Sequence, residues 1–173
     1  MSEYKPHSYE SGDTLSLRQA LGEFATGITV VTARAETTDG GQWVGLTVNS
    51  FASVSLDPPL VLWSLGLGAA SLKVFQTCKH FAVNVLAADQ IELSQRFAQP
   101  QADKFAGLEC ATGNGGTALL PGCCAWFECR CVARHEGGDH LILIGEVERF
   151  RRAPREPLLY HRGAYARLDP RDR

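Results

Sequence analysis

Between Gly45 and Pro59 the chain reads Gly-Leu-Thr-Val-Asn-Ser-Phe-Ala-Ser-Val-Ser-Leu-Asp-Pro-Pro. In an extended strand, Thr47, Asn49, Phe51, Ser53 and Ser55 share one face. Leu46, Val48, Ala52, Val54 and Leu56 take the other, and Ser50 is the one break. The first face carries hydroxyls, an amide and a ring where a solvent face would carry Lys and Glu. Such groups suit a ligand with a flat ring and an oxygen-rich tail. They also suit a Thr/Ser-rich strand that simply favours β geometry. Ser71 opens a predicted helix, where amide N–H groups and the helix dipole favour an anion; a plain N-cap is the other reading. His140 follows Gly138-Asp139 at the start of a strand, so its ring stands at a sheet rim. There it can donate a hydrogen bond or pass a proton, or simply face solvent. His7, His80, His135 and His161 read as ordinary histidines.

The elements that position these residues follow from periodicity. Residues 1–13 are polar and read as an arm; residues 14–168 form one domain, and 169–173 a tail. Ser16 with Gln19 predicts a capping box. Leu17, Ala20, Leu21, Phe24 and Ala25 then repeat at helical spacing, and Gly27 can end the helix. Ile28 to Ala35 is a β-branched strand. Asp39-Gly40-Gly41 is a turn signal, and Trp43 to Leu56 reads as one continuous strand. Asp57-Pro58-Pro59 ends it. Leu60 to Leu65 is apolar on both faces, so both sides should be covered. A short helix is expected from Ser71 to about Cys78, then a strand from Phe81 to Leu86. Asp89 with Glu92 starts a helix to about Phe97, and residues 99–121 read as irregular. Ala125 to Arg134 alternates, with Ala125, Phe127, Cys129, Cys131 and Ala133 inward. His140 to Phe150 returns as its hairpin partner. Six or so hairpin-connected strands with two or three helices predict a closed or nearly closed antiparallel barrel.

Composition excludes several classes. The 17 Lys+Arg against 19 Asp+Glu leave a net charge of -2, against a nucleic-acid footprint. The apolar run Leu60 to Leu67 is too short to span a bilayer. The N-terminus lacks an apolar signal core, so a soluble cytoplasmic protein is expected. Cys123, Cys124, Cys129 and Cys131 lie close together without a CxxC pair, so free buried thiols and no metal are expected. No GxGxxG and no P-loop is present, so a nucleotide-like ligand would not bind by either phosphate turn.

Several blocks resemble the short flavin reductases of two-component monooxygenase systems, which have the FMN-binding split-barrel fold. They are Phe24-Ala-Thr-Gly-Ile-Thr-Val-Val-Thr32, Gly45 to Leu60, Phe81-Ala-Val-Asn-Val-Leu86, Asp103-Lys-Phe105, Gly138-Asp-His140, and Leu158-Leu-Tyr160 with Gly163-Ala-Tyr165. They occur in the family's order across about residues 15–168. The resemblance implies a single-domain, mainly β split barrel with helices. It also implies a homodimer that reduces free FMN or FAD with NAD(P)H and supplies a partner monooxygenase. By the same resemblance, Thr47, Val48, Asn49 and Ser50 face the flavin ring and ribityl chain. Ser64 and Leu65 form a second contact, and Ser71 lies near the phosphate. Lys104 can offset phosphate charge and Phe105 can pack on a ring; a solvated Lys beside a core Phe is the plainer reading. The matching His140 lies near the nicotinamide, with Tyr160 and Tyr165 lining the same pocket. No acid–base triad is required, because orientation supplies most of the acceleration. The loop Gly66 to Ser71 departs from many relatives in having no Lys or Arg, with Lys73 the nearest substitute. A non-catalytic flavin- or haem-binding split barrel is the alternative.

Overall fold

The computed structural model describes residues 13–36, 41–100 and 103–169. The arm before Asp13, the Asp39-Gly40 turn and the tail beyond Asp169 lie outside the described residues. The chain opens with α1 (Thr14–Gly22), capped by Asp13, whose Oδ1 accepts the Ser16 N–H at 3.0 Å. The cap is therefore three residues earlier than the Ser16 capping box, and the helix stops at Gly22, well before Gly27. No residue of α1 is buried: Leu15, Leu17 and Leu21 face outward, and Phe24 just beyond is 77% exposed. The apolar stripe is present, and among the described residues nothing buries it.

The strands are β1 (Thr26–Gly27), β2 (Thr29–Ala35), β3 (Gln42–Val48), β4 (Ala52–Leu56) and β5 (Pro59–Gly66). Then come α2 (Leu72–Thr77), β6 (His80–Val85) and α3 (Ile91–Ala98). The stretch expected to be irregular holds a small hairpin, β7 (Ala111–Thr112) and β8 (Ala118–Leu119). The long strands β9 (Ala125–Gly137) and β10 (His140–Arg152) follow, then β11 (Leu159–His161) and β12 (Ala164–Ala166). Asp89 does not cap α3. Gln90 is the N-cap residue, and its side chain accepts from Ala87 N–H while Asp89 pairs with Arg155.

Seven strands form one antiparallel sheet in the order β3-β2-β6-β9-β10-β5-β4, and β1-β11-β12 form a smaller one. The expected closure of the ladder is not found: β3 and β4 are the two edges. They are consecutive in sequence, and the bend at 49–51 separates them. That bend corrects the reading of Trp43 to Leu56 as one strand. It resets the alternation, and a bulge between Ser53 and Ser55 shifts it again. Phe51 accordingly packs on Phe127 and the core, while Val54 is exposed and Leu56 is 93% exposed.

Strand β2 is buried on both faces, which explains its β-branched run. Val31 and Ala33 join a core with Trp63, Leu65, Phe75 and Phe81. Ile28 and Val30 join a second core with Leu86, Phe97 and Leu158. Across the seam Asn84 is fully buried. Its Nδ2 donates to Val30 O at 3.0 Å, and its Oδ1 accepts Leu120 N–H at 2.8 Å. Glu128 is also buried, and its carboxylate accepts the Asn114 N–H at 2.7 Å with Arg151 at 3.8 Å. Alternation alone placed Glu128 outward. The 113–117 turn folded over it supplies the Asn114 N–H that, with Arg151, makes its burial tolerable.

All six cysteines are free thiols. Burial pushes Cys123 and Cys129 up to about 12, and Cys78 up to about 11. Among the described residues no group of three or more His, Cys, Asp or Glu is placed to hold a metal. Among the described residues no helix is long and apolar enough to cross a membrane.

Candidate functional site

A cleft of about 720 Å³ opens between β3, the loop before α2, and the segment after α3. Its floor is β3, where Trp43, Gly45 and Thr47 recur at period two and so share a face. Gly45 has no side chain for a physical reason. A Cβ there would lie 2.8 Å from the Phe97 ring and 3.2 Å from that of Phe105. Phe105 stands edge-on to Phe97 at 5.0 Å and tilts 51° against Trp43 at 5.7 Å. The Trp43 indole N–H is held by Gly116 O at 2.8 Å. These rings make a rigid aromatic wall.

Polar contacts fix the wall to α3. The Thr47 hydroxyl donates to Ser94 O at 2.7 Å. The Lys104 ammonium donates to Phe97 O at 2.8 Å and to Gly45 O at 3.3 Å. Burial pushes Lys104 below its ordinary pKa. Asp103 Oδ1 accepts the Phe105 N–H at 2.9 Å, which shapes the turn carrying both. Across the cleft, the loop Gly68 to Ser71 forms the second wall. Ser71 is the N-cap residue of α2, yet its side chain makes no capping hydrogen bond.

The cleft thus gathers Thr47, Ser71, Lys104 and Phe105, four of the residues singled out from the sequence. The others lie elsewhere. Val48 packs toward the first core and Asn49 is exposed in the bend. Ser50 Oγ accepts Ser64 N–H at 2.9 Å and donates to Ser64 O at 3.2 Å, so these two serines are each other's partners. The Leu65 side chain is wholly inside the core, which leaves only its main chain to meet a ligand. Tyr160 and Tyr165 pack on each other at 5.7 Å, and Tyr165 OH donates to Ser94 Oγ at 3.0 Å behind the cleft.

His140 is paired with Gly66 across β10 and β5, at the outer side of the loop that walls the cleft. The loop is tied to that turn by Leu67 N–H to Asp139 O at 2.9 Å. His140 Nδ1 lies 2.7 Å from Asp139 Oδ1. An ionised carboxylate only accepts, so Nδ1 carries the hydrogen and Nε2 is left for another partner. The same contact holds the Asp139 carboxyl below its usual range.

Comparison with known proteins assigns this arrangement. The flavin reductase like domain family matches residues 21–169, nearly the whole described chain. The chain belongs to that family. This flavin reductase-like chain is 48% identical over 153 residues to the FMN reductase (NADH) SmoA of Agrobacterium fabrum, covering 88% of this chain and 85% of that protein. It is 46% identical over 149 residues to the reductase component of the flavin-dependent trigonelline monooxygenase of Acinetobacter baylyi. That match covers 86% of this chain but only 47% of the longer relative. The fold superposes on the Streptomyces globisporus NADH:FAD oxidoreductase, solved with NAD and FAD fragments, at a TM-score of 0.88 and 37% identity. There 95% of this chain and 98% of that one are covered.

The cleft of this flavin reductase-like chain includes residues that sequence reasoning passed over: Trp43, Gly45 and Phe97. Carrying the Thr47 alternation two and four residues back along β3 points to Gly45 and Trp43. Phe97 had no such signal, because it reads as an ordinary core residue of an amphipathic helix.

Proposed function

We propose that the chain is an NAD(P)H:flavin oxidoreductase that reduces FMN or FAD and supplies reduced flavin to a partner monooxygenase. The observation that carries this reading is the ring-walled cleft over Gly45 in a chain of the flavin reductase-like family. Its volume lies within the range of small-molecule sites, roughly 300–1,000 Å³. Gly45 leaves room on β3 for the Phe97 and Phe105 rings, which form one wall of the cleft. Among its described lining residues none is a His, Cys, Met or Tyr, so haem iron would find no axial ligand there.

Bound flavin supplies a ring system that accepts a hydride from reduced nicotinamide. Trp43 and Phe105 would hold the ring, with Thr47 and the strand end through Val48, Asn49 and Ser50 beside it. Ser64 and the Leu65 main chain would bound its far edge, and Ser71 lines the cleft opposite. The protein's part is orientation and exclusion of water, and no general acid is assigned. His140, with Tyr160 and Tyr165, would position the nicotinamide from outside the Gly66 to Ser71 loop. His140→Ala is then expected to lower kcat/KM for NADH about tenfold through a lost orienting hydrogen bond, on the order of 1–2 kcal/mol. Flavin affinity should stay near that of the wild type. Anaerobic stopped-flow reduction at varied NADH measures this, and an unchanged rate and saturation would return His140 to solvent.

The curled sheet, with edges β3 and β4 meeting at the 49–51 bend, is read as a split barrel. The chain is read as a cytoplasmic homodimer. The support for a dimer is the outward face of α1, where Leu15, Leu17, Leu21 and the neighbouring Phe24 stand in solvent. A second copy would cover them. Light scattering at micromolar concentration should give twice the chain mass, and a single-chain mass would overturn the dimer.

The test of function is steady-state turnover of NADH and NADPH against FMN, FAD and riboflavin. Flavin binding without nicotinamide oxidation would make the chain a binding module instead.

A further inference from the structure

We propose that Lys104 is a positioning residue that braces the cleft, not a phosphate ligand, so the cleft selects the flavin ring and is indifferent to its tail. The inference rests on the flavin reductase reading above. Three observations carry it. First, Lys104 spends its ammonium on main-chain oxygens, donating to Phe97 O at 2.8 Å and Gly45 O at 3.3 Å. Phe97 O is in the last turn of α3, where the helix dipole is negative and favours a cation. The lysine therefore joins the end of α3 to the middle of β3, behind the Phe97 and Phe105 rings. Second, Lys104 is the only Lys or Arg among the described residues lining the cleft, and Asp103 lines it as well. The two formal charges cancel, which leaves no surplus for a phosphate dianion. Third, two neighbouring cations are engaged elsewhere. Lys73 of α2 lines a separate groove with Lys79 and His80, and Arg96 donates to Ala106 O.

A lysine engaged with phosphate would favour FMN over riboflavin about ten- to a hundredfold, the worth of a charge-assisted hydrogen bond. A brace would instead act on every flavin alike, through the position of Phe105 over Gly45.

Equilibrium quenching of flavin fluorescence tests this. Riboflavin, FMN and FAD are titrated at low and high salt into the wild type, Lys104→Met and Lys104→Arg, well below each melting temperature. We expect the wild type to bind riboflavin and FMN within about threefold, because exposed charge contributes little and is screened by salt. Affinity should change little with salt. Lys104→Met should weaken all three flavins by a common factor of about five to ten. Lys104→Arg, which can donate to the same two carbonyls, should recover most of that loss. FMN binding tenfold or more tighter than riboflavin, with the margin lost in Lys104→Met or at high salt, would overturn the proposal. The wild-type comparison alone decides it if Lys104→Met does not fold. Failure to quench any flavin, with no NADH-dependent flavin reduction, would overturn the flavin reductase reading itself.

Discussion

Gly45→Val is expected to abolish flavin binding in a chain that still folds. The first atom added falls 2.8 Å from the Phe97 ring and 3.2 Å from Phe105. Phe97 is fully buried in the second core and cannot swing away. Phe105 is half-buried at the cleft and will give first, so the isopropyl group displaces the ring that walls the cleft. Overpacking of this kind costs roughly 1–3 kcal/mol of stability. The loss of affinity should be larger, at least about a hundredfold in Kd or about 2.7 kcal/mol. Fluorescence titration with FMN, beside circular dichroism and a melting curve, separates the two effects. Retention of wild-type FMN affinity by a folded Gly45→Val would show that the Phe105 wall does not hold the flavin.

Asn84→Ala should cause a large loss of stability away from the cleft. Asn84 is fully buried between β2 and the strand carrying Ala118 to Leu120. Its amide donates to Val30 O and accepts from Leu120 N–H, and the Thr32 hydroxyl beside it donates to Ala118 O at 2.6 Å. Truncation leaves the Leu120 N–H without an acceptor where water does not reach. A buried group left unpaired costs about 1–3 kcal/mol, and the small cavity adds to it. For a chain of this size, about 3 kcal/mol lowers the melting temperature by roughly 6–12 °C. Differential scanning calorimetry measures it. A drop below about 2 °C would mean that the amide carries no net stability, a null result against this magnitude.

The two substitutions also mark how far the sequence could be read. Asn84 was visible only as part of the block Phe81 to Leu86. Nothing in its neighbours says that its amide would close the seam between two cores. Gly45 was visible as the first residue of the alternating stretch, but its use depends on Phe97 and Phe105, more than fifty residues away. Helix and strand periods report which face of an element is apolar. They do not report which distant ring will stand over a glycine.

By itself the sequence determined the mainly antiparallel β class, the β9–β10 hairpin, the three helices to within a few residues, and the family. Those follow from local periods, turn residues and the order of short motifs, all of which are written along the chain. Tertiary structure decided the rest. The bend at 49–51 ended the alternation of β3, and the bulge between Ser53 and Ser55 left Val54 and Leu56 outward. Ser50 met Ser64, and Leu65 went wholly inside, because β5 crosses behind that bend. Lys104 turned from solvent to the carbonyls of Gly45 and Phe97 because α3 ends beside β3 and leaves an acceptor there. The Lys104–Gly45 contact joins segments far apart in the chain, and no local pattern encodes such a contact.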